Sequence, residues 1–108
     1  MFTMTNLTFM SVFDFKDKEC MQKFLDFARS ENGIRKTRNY TGCISINAYM
    51  SKREPNKLIM IQEWDSKQHK KAYLAMREKE GIYQFFDTLV KTKTVLDVIT
   101  PMDFNSKL

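Results

Sequence analysis

The chain has 108 residues, of which 43% are hydrophobic and 29% charged, and its net charge is +5. This balance fits one soluble domain over 1–108, with a core of about 6–100 and a C-terminal tail at 101–108. It excludes a membrane span, since no apolar run approaches the roughly 20 residues that one needs.

Residues 6–15, NLTFMSVFDF, alternate with period two: Leu7, Phe9, Phe13 and Phe15 point one way, and Thr8, Met10, Val12 and Asp14 the other. Asp17 is placed to cap a helix whose stripe is Met21, Phe24, Leu25 and Ala28. Asn32-Gly33 breaks or kinks that helix, and Ile34–Asn39 resumes as a helical turn or as the continued helix. Gly42 ends the connection, and a second strand covers 43–50. Its expected faces are Ile44, Ile46, Ala48 and Met50 on one side, and Cys43, Ser45, Asn47 and Tyr49 on the other.

The charged stretch 51–56, SKREPN, reads as a hairpin loop, and 57–64, KLIMIQEW, as the third strand. Asp65 or Ser66 caps a second long helix over 66–79. Gly81 interrupts it, and Ile82, Phe85, Phe86 and Leu89 make a short further helix. The last strand is 93–100, stopped by Pro101.

The order is β-α-β-β-α-β. This is the split arrangement of a ferredoxin-like α+β fold, a four-stranded antiparallel sheet with helices on one face. The strands are apolar on both faces: Leu58 and Met60 against Ile59 and Ile61, Leu96 and Val98 against Val95 and Ile99. A sheet with one solvated face alternates more cleanly. A second copy of the chain is therefore expected to cover the other face, giving a homodimer.

Four motifs resemble the antibiotic biosynthesis monooxygenase (ABM) family of dimeric α+β barrels. They are Tyr40-Thr41-Gly42-Cys43-Ile44 at the second strand, Glu54-Pro55-Asn56 in the hairpin, Glu63-Trp64-Asp65-Ser66 at the strand-to-helix junction, and the spacing to Tyr73-Leu74. The resemblance implies two sheets meeting face to face and a pocket in each subunit between sheet and helices. It also implies a choice between cofactor-independent oxygenation of phenolic or anthrone-like substrates and haem degradation. Tyr73 stands where the haem-degrading branch carries Trp, and Tyr83 near its His. The axial ligand is missing, so the resemblance implies no cofactor.

His69 falls on one helical stripe with Ala72, Tyr73 and Met76, which points it inward. It reads as a base or donor toward a bound phenol, or as a packed boundary residue. Trp64 reads as a pocket wall or as core. Tyr73 and Tyr83 offer polar tips on apolar bodies, with Phe24 and Phe86 as apolar wall. Asn47, with Ser45 and Tyr49 on its strand face, lines a pocket or a wet subunit interface. The expected site is therefore His69, Tyr73 and Asn47 for catalysis, with Trp64, Tyr83, Phe24 and Phe86 for binding. No residues have metal-ligand spacing, and Cys20 and Cys43 read as small apolar residues.

The function expected is a cofactor-independent monooxygenase acting on a phenol, quinol or anthrone-like molecule. The alternative is a non-catalytic binding or structural barrel. Its partners are a second copy and a small apolar or aromatic molecule, with no membrane. RNA binding is discounted although the RNA recognition motif shares this element order, because the third strand lacks that motif's stacking aromatics. The basic residues are scattered among acidic ones, and the first residues, MFTMTNLTF, lack a secretory pattern. A cytoplasmic protein is expected.

Overall fold

The computed structural model describes the chain from residue 7 to residue 99, with side chains to residue 97. The tail from Pro101, and the ends of the expected first and last strands at Asn6 and Thr100, lie outside the described residues. The elements are β1 (Leu7–Phe15), α1 (Lys18–Arg29), α2 (Ile34–Arg38), β2 (Cys43–Met50), β3 (Lys57–Trp64), α3 (Lys67–Lys79), α4 (Ile82–Asp87) and β4 (Val90–Ile99). The strands form one antiparallel sheet in the order β2-β3-β1-β4. This is the ferredoxin-like arrangement expected from the pattern.

Local signals set the helix boundaries. Asp17 Oδ1 accepts the Cys20 amide at 2.7 Å and starts α1. That bond holds the Asp17 carboxyl below its usual range. Ser66 Oγ accepts the His69 amide at 3.2 Å and starts α3. Gly81 takes the left-handed conformation (φ 77°) that separates α3 from α4. The hairpin between β2 and β3 closes with Asn56 at φ 66°, a conformation that Asn tolerates better than most residues.

The helix-covered face of the sheet carries Phe9, Ser11, Phe13 and Phe15 from β1, and Leu58, Met60, Gln62 and Trp64 from β3, all buried. Two core clusters form there. One joins Phe13, Phe15, Met21, Phe24, Ile46, Leu58, Met60 and Leu89, and the other joins Phe9, Trp64 and Tyr73. The opposite face carries Met10, Val12, Ile59 and Ile61, which remain half-buried, with Tyr49 and Leu96 exposed.

Two details depart from the period-two reading. The register slips between Cys43 and Ser45, so Cys43 pairs with Trp64 and Ile46 with Gln62 on the same, helix-covered face. A bulge at Ile44 therefore ends the simple alternation, and Cys43 packs against the Trp64 cluster instead of sharing a face with Asn47. The second departure is in β4, which begins at Val90, three residues before the expected Lys93. Val90 pairs with Phe15, and the Lys16 amide donates to the Leu89 carbonyl at 3.0 Å, so the ladder starts as soon as Leu89 enters the core.

Candidate functional site

Between the sheet and the helices lies a cavity of about 500 Å3, within the range of small-molecule sites. Phe13, Phe24, Phe27, Phe86 and Ile82 give it an apolar, mainly aromatic wall. Phe24 packs on Phe13 at 5.3 Å and on Phe86 at 5.0 Å between ring centroids. Its floor is the sheet: Phe9, Ser11, Met60 and Gln62. Lys93, Val95 and Asp97 of β4 form the rim, where Val95 is 48% exposed, so the mouth lies along β4.

One wall is fixed by Arg77, which is only 2% exposed. Its Nε donates to the Tyr73 hydroxyl at 2.8 Å. Its Nη1 donates to the Asn32 carbonyl at 2.6 Å and to Glu80 Oε1 at 3.1 Å. Its Nη2 donates to the Gly33 carbonyl at 2.8 Å and to Thr37 Oγ1 at 2.9 Å. Five acceptors thus use the five donors of a guanidinium. Glu80 also pairs with Lys36, so α3 is tied to the end of the α1–α2 turn, at Asn32 and Gly33, and to α2 itself. Hydrogen bonds from Lys36 and then Arg77 hold the Glu80 carboxyl below its ordinary value.

Gly33 permits this approach. A Cβ there would stand 2.3 Å from the carbonyl oxygens of Phe27 and Ala28.

Donor arithmetic then assigns the polar lining. Tyr73 Oη accepts from Arg77 and lies 2.5 Å from Thr37 Oγ1; with the Thr37 hydroxyl donating to the Gly33 carbonyl at 3.5 Å, the Tyr73 hydrogen goes to Thr37 Oγ1. Gln62 Oε1 accepts from Trp64 Nε1 at 3.0 Å, which turns the Gln62 amide nitrogen toward its other side. Among the described residues that nitrogen, Ser11 Oγ and Tyr83 Oη have no hydrogen-bond partner, and all three residues line the cavity. None of these atoms is sealed from solvent-sized space, so none is an unpaired buried group. Burial pushes the Tyr83 hydroxyl well above its ordinary range, which keeps it protonated and able to donate. Lys70, 7% exposed, lines the cavity with its ammonium 4.4 Å above the Phe9 ring and paired with Asp97.

The expected site residues separate into three groups. Phe24, Phe86, Tyr83 and Tyr73 all line the cavity. Tyr73, however, has its hydroxyl engaged within the protein, so it shapes the wall and is not a free donor. Trp64 is fully buried behind Gln62 and Tyr73, with its ring 4.9 Å from that of Tyr73, and does not line the cavity.

His69 and Asn47 lie elsewhere. The buried stripe of α3 is Lys70, Tyr73 and Arg77; of the expected inward residues His69, Ala72, Tyr73 and Met76, Tyr73 is buried and Met76 packs half-buried against the Trp64 cluster, whereas Ala72 is exposed and His69 lies at the boundary. The side chain of His69 is 42% exposed, its Nδ1 lies 2.7 Å from Asp65 Oδ1, and it packs over Gly42. A Cβ on Gly42 would lie 2.4 Å from that of His69, and the Gly42 carbonyl accepts the Asp65 amide at 2.8 Å. His69 therefore braces the junction of β2, β3 and α3. Asn47 pairs with Ile61 on the open face of edge strand β2, across the sheet from the cavity. No His lines the cavity, so the axial ligand of the haem-degrading branch has no counterpart there.

Ser11, Gln62, Lys70 and Arg77 are among the lining residues that the pattern reading passed over. A usable signal exists for two of them. Ser11 and Gln62 are polar residues at inward positions of otherwise apolar strand faces, Phe9-x-Ser11-x-Phe13 and Met60-x-Gln62-x-Trp64. A polar group in such a position needs either a buried partner or a cavity.

Several solved structures share this fold. A Bacteroides thetaiotaomicron protein superposes with a TM-score of 0.74 at 14% identity, covering 96% of this chain and 97% of that one. SnoaB, a cofactor-independent oxygenase from Streptomyces nogalater, gives 0.74 at 10% identity over 95% and 100%. A dimeric ferredoxin-like protein from an uncultured marine organism gives 0.71 at 19% identity over 95% of each. No curated protein shows significant similarity. The family model for antibiotic biosynthesis monooxygenase matches residues 8–79 of the 108. By that match, on a ferredoxin-like sheet with a cavity beneath its helices, the chain belongs to the antibiotic biosynthesis monooxygenase family.

Proposed function

We propose that the protein is a cytoplasmic homodimer that binds a small phenol, quinol or anthrone-like molecule in this cavity and oxygenates it without a cofactor. The observation that carries the reading is an aromatic-walled cavity holding three unengaged polar groups, Ser11 Oγ, Gln62 Nε2 and Tyr83 Oη. Aromatic walls suit a flat ligand, and a few convergent donors orient its oxygens. Such a substrate supplies all the electrons. An activated CH2 group and dioxygen give a carbonyl and water, with one oxygen atom in each product. The protein contributes a water-poor site and donors aimed at the oxyanion that develops.

Structural likeness to the oxygenase SnoaB supports the reaction class. The dimeric state of the marine protein, together with Tyr49 and Leu96 exposed on the open face (55% and 47%), supports a homodimer. Free thiols at Cys20 and Cys43 agree with a reducing compartment.

The test is incubation with anthrone under 18O2, without added flavin or metal, followed by mass spectrometry. One 18O in the product, formed faster than in buffer alone, is the expected result. Binding with no rate above the spontaneous oxidation would overturn the reaction and leave a binding barrel.

A further inference from the structure

We propose that the cavity takes its aromatic ligand as an oxygen anion, a phenolate or enolate, with the Lys70 ammonium as counterion. The inference rests on reading the cavity as a site for small aromatic molecules, and adds the ionisation state in which they are held.

Lys70 and Asp97 form an asymmetric ion pair. The Lys70 side chain is 9% exposed and stands over Phe9 inside the cavity, whereas the Asp97 carboxylate, at the mouth, is 60% exposed. A buried ammonium needs an opposite charge nearby. An exposed carboxylate gains little from such a pair, because water solvates it when it leaves. An anionic ligand oxygen arriving from the cavity side therefore replaces Asp97, which turns to solvent. A neutral ligand offers no such exchange.

The other charged groups around the cavity do not compete for this role. Arg77 has every donor engaged. Lys93 pairs with Asp87 and stands 5.6 Å from the Tyr83 ring. Lys71 and Glu78 are exposed. Of the two phenols, Tyr73 is engaged and Tyr83 stays protonated. Ser11, Gln62 and Tyr83 add donors and no negative charge, so the interior favours an acceptor-rich anion.

The proton leaves the O–H bond of a phenol, or the activated C–H bond of an anthrone-like ligand, and goes to bulk water; the bonding pair stays on the ligand as the oxygen anion. The anion is the electron-rich form that reacts with dioxygen. Lys70 thus promotes ionisation by holding the product of proton loss, where the sequence pointed to His69 as a base.

The test compares 4-nitrophenol, whose phenolate is coloured, with 4-nitroanisole, which cannot ionise. Bound to the wild type, nitrophenol should titrate at least about one pH unit lower than free. Lys70→Met should weaken phenolate binding about tenfold or more and leave nitroanisole within about twofold. Lys70→Arg should keep most of the shift, and Asp97→Asn, which removes the competing anion, should tighten phenolate binding severalfold. An unshifted titration of bound nitrophenol overturns the proposal. Should Lys70→Met fail to fold, the wild-type titration and Asp97→Asn decide in the same way. Failure of nitroanisole to bind the wild type would instead overturn the aromatic-site reading itself.

Discussion

Arg77 Nε donates to the Tyr73 hydroxyl at 2.8 Å, one turn earlier on the same helix, and together with the contact to Thr37 Oγ1 this bond removes Tyr73 from the set of groups that can bind a ligand. With Arg77 and Thr37 on either side, the phenol is a structural joint between α3 and α2. Tyr73→Phe strips partners from a buried Arg and a buried Thr, so it should cost about 1–3 kcal/mol of stability. Aromatic ligand affinity should stay within about twofold. Arg77→Met should cost more, on the order of 3 kcal/mol, because it orphans two backbone carbonyls and leaves Glu80 with Lys36 alone. Urea unfolding of both variants, alongside ligand titration of Tyr73→Phe, checks this pair of expectations.

The same joint depends on Gly33. Its Cβ position lies 2.3 Å from two α1 carbonyl oxygens, which are backbone and cannot swing aside. Gly33→Ala should destabilise by about 2–3 kcal/mol, as overpacking of a tight site does. A midpoint near that of the wild type in thermal unfolding would show that the turn has room to relax.

His69 lies outside the cavity, so His69→Ala should retain ligand binding and turnover. Loss of the Asp65 contact and of packing over Gly42 should lower stability by about 1 kcal/mol or less. A collapse of kcat with unchanged folding would return His69 to the chemistry.

Acid should loosen the α2–α3 tie. The Glu80 carboxyl is depressed in the folded state by Lys36 and Arg77, so the unfolded chain binds its proton first as the pH falls. Its stabilising contribution is present above the unfolded value, about 4.3, and is lost as the pH drops through the lower folded value. Glu80→Gln should flatten that part of the stability-against-pH curve. Chemical denaturation of both proteins from neutrality down into that acid range measures it.

Much of the fold was legible because its signals are local. Asp17, Ser66, Gly81 and the Glu54-Pro55-Asn56 hairpin each act within a few residues of themselves, and they mark the boundaries seen in the structure. The site was less legible because its partners come from far along the chain. Ranking α3 by hydrophobicity selects His69, Ala72, Tyr73 and Met76. The buried stripe is instead Lys70, Tyr73 and Arg77, since long cationic side chains cover apolar surface with their stems. Their heads find Asp97 on β4 and Asn32, Gly33 and Thr37 around α2, which no helical periodicity reveals. The face of Cys43 was likewise hidden, because the bulge at Ile44 depends on pairing with β3.

The aromatic ligand is predicted to bind in the cavity beneath the helices and at no other place on the described surface. The decisive measurement is a crystal structure of the protein with anthraquinone, the oxygenated product of anthrone. The predicted result is a flat ligand between Phe13, Phe24 and Phe86, with an oxygen about 3 Å from Gln62 Nε2, Ser11 Oγ or Tyr83 Oη. Ligand density beside His69 or on the open face near Asn47, with the cavity empty, would contradict it.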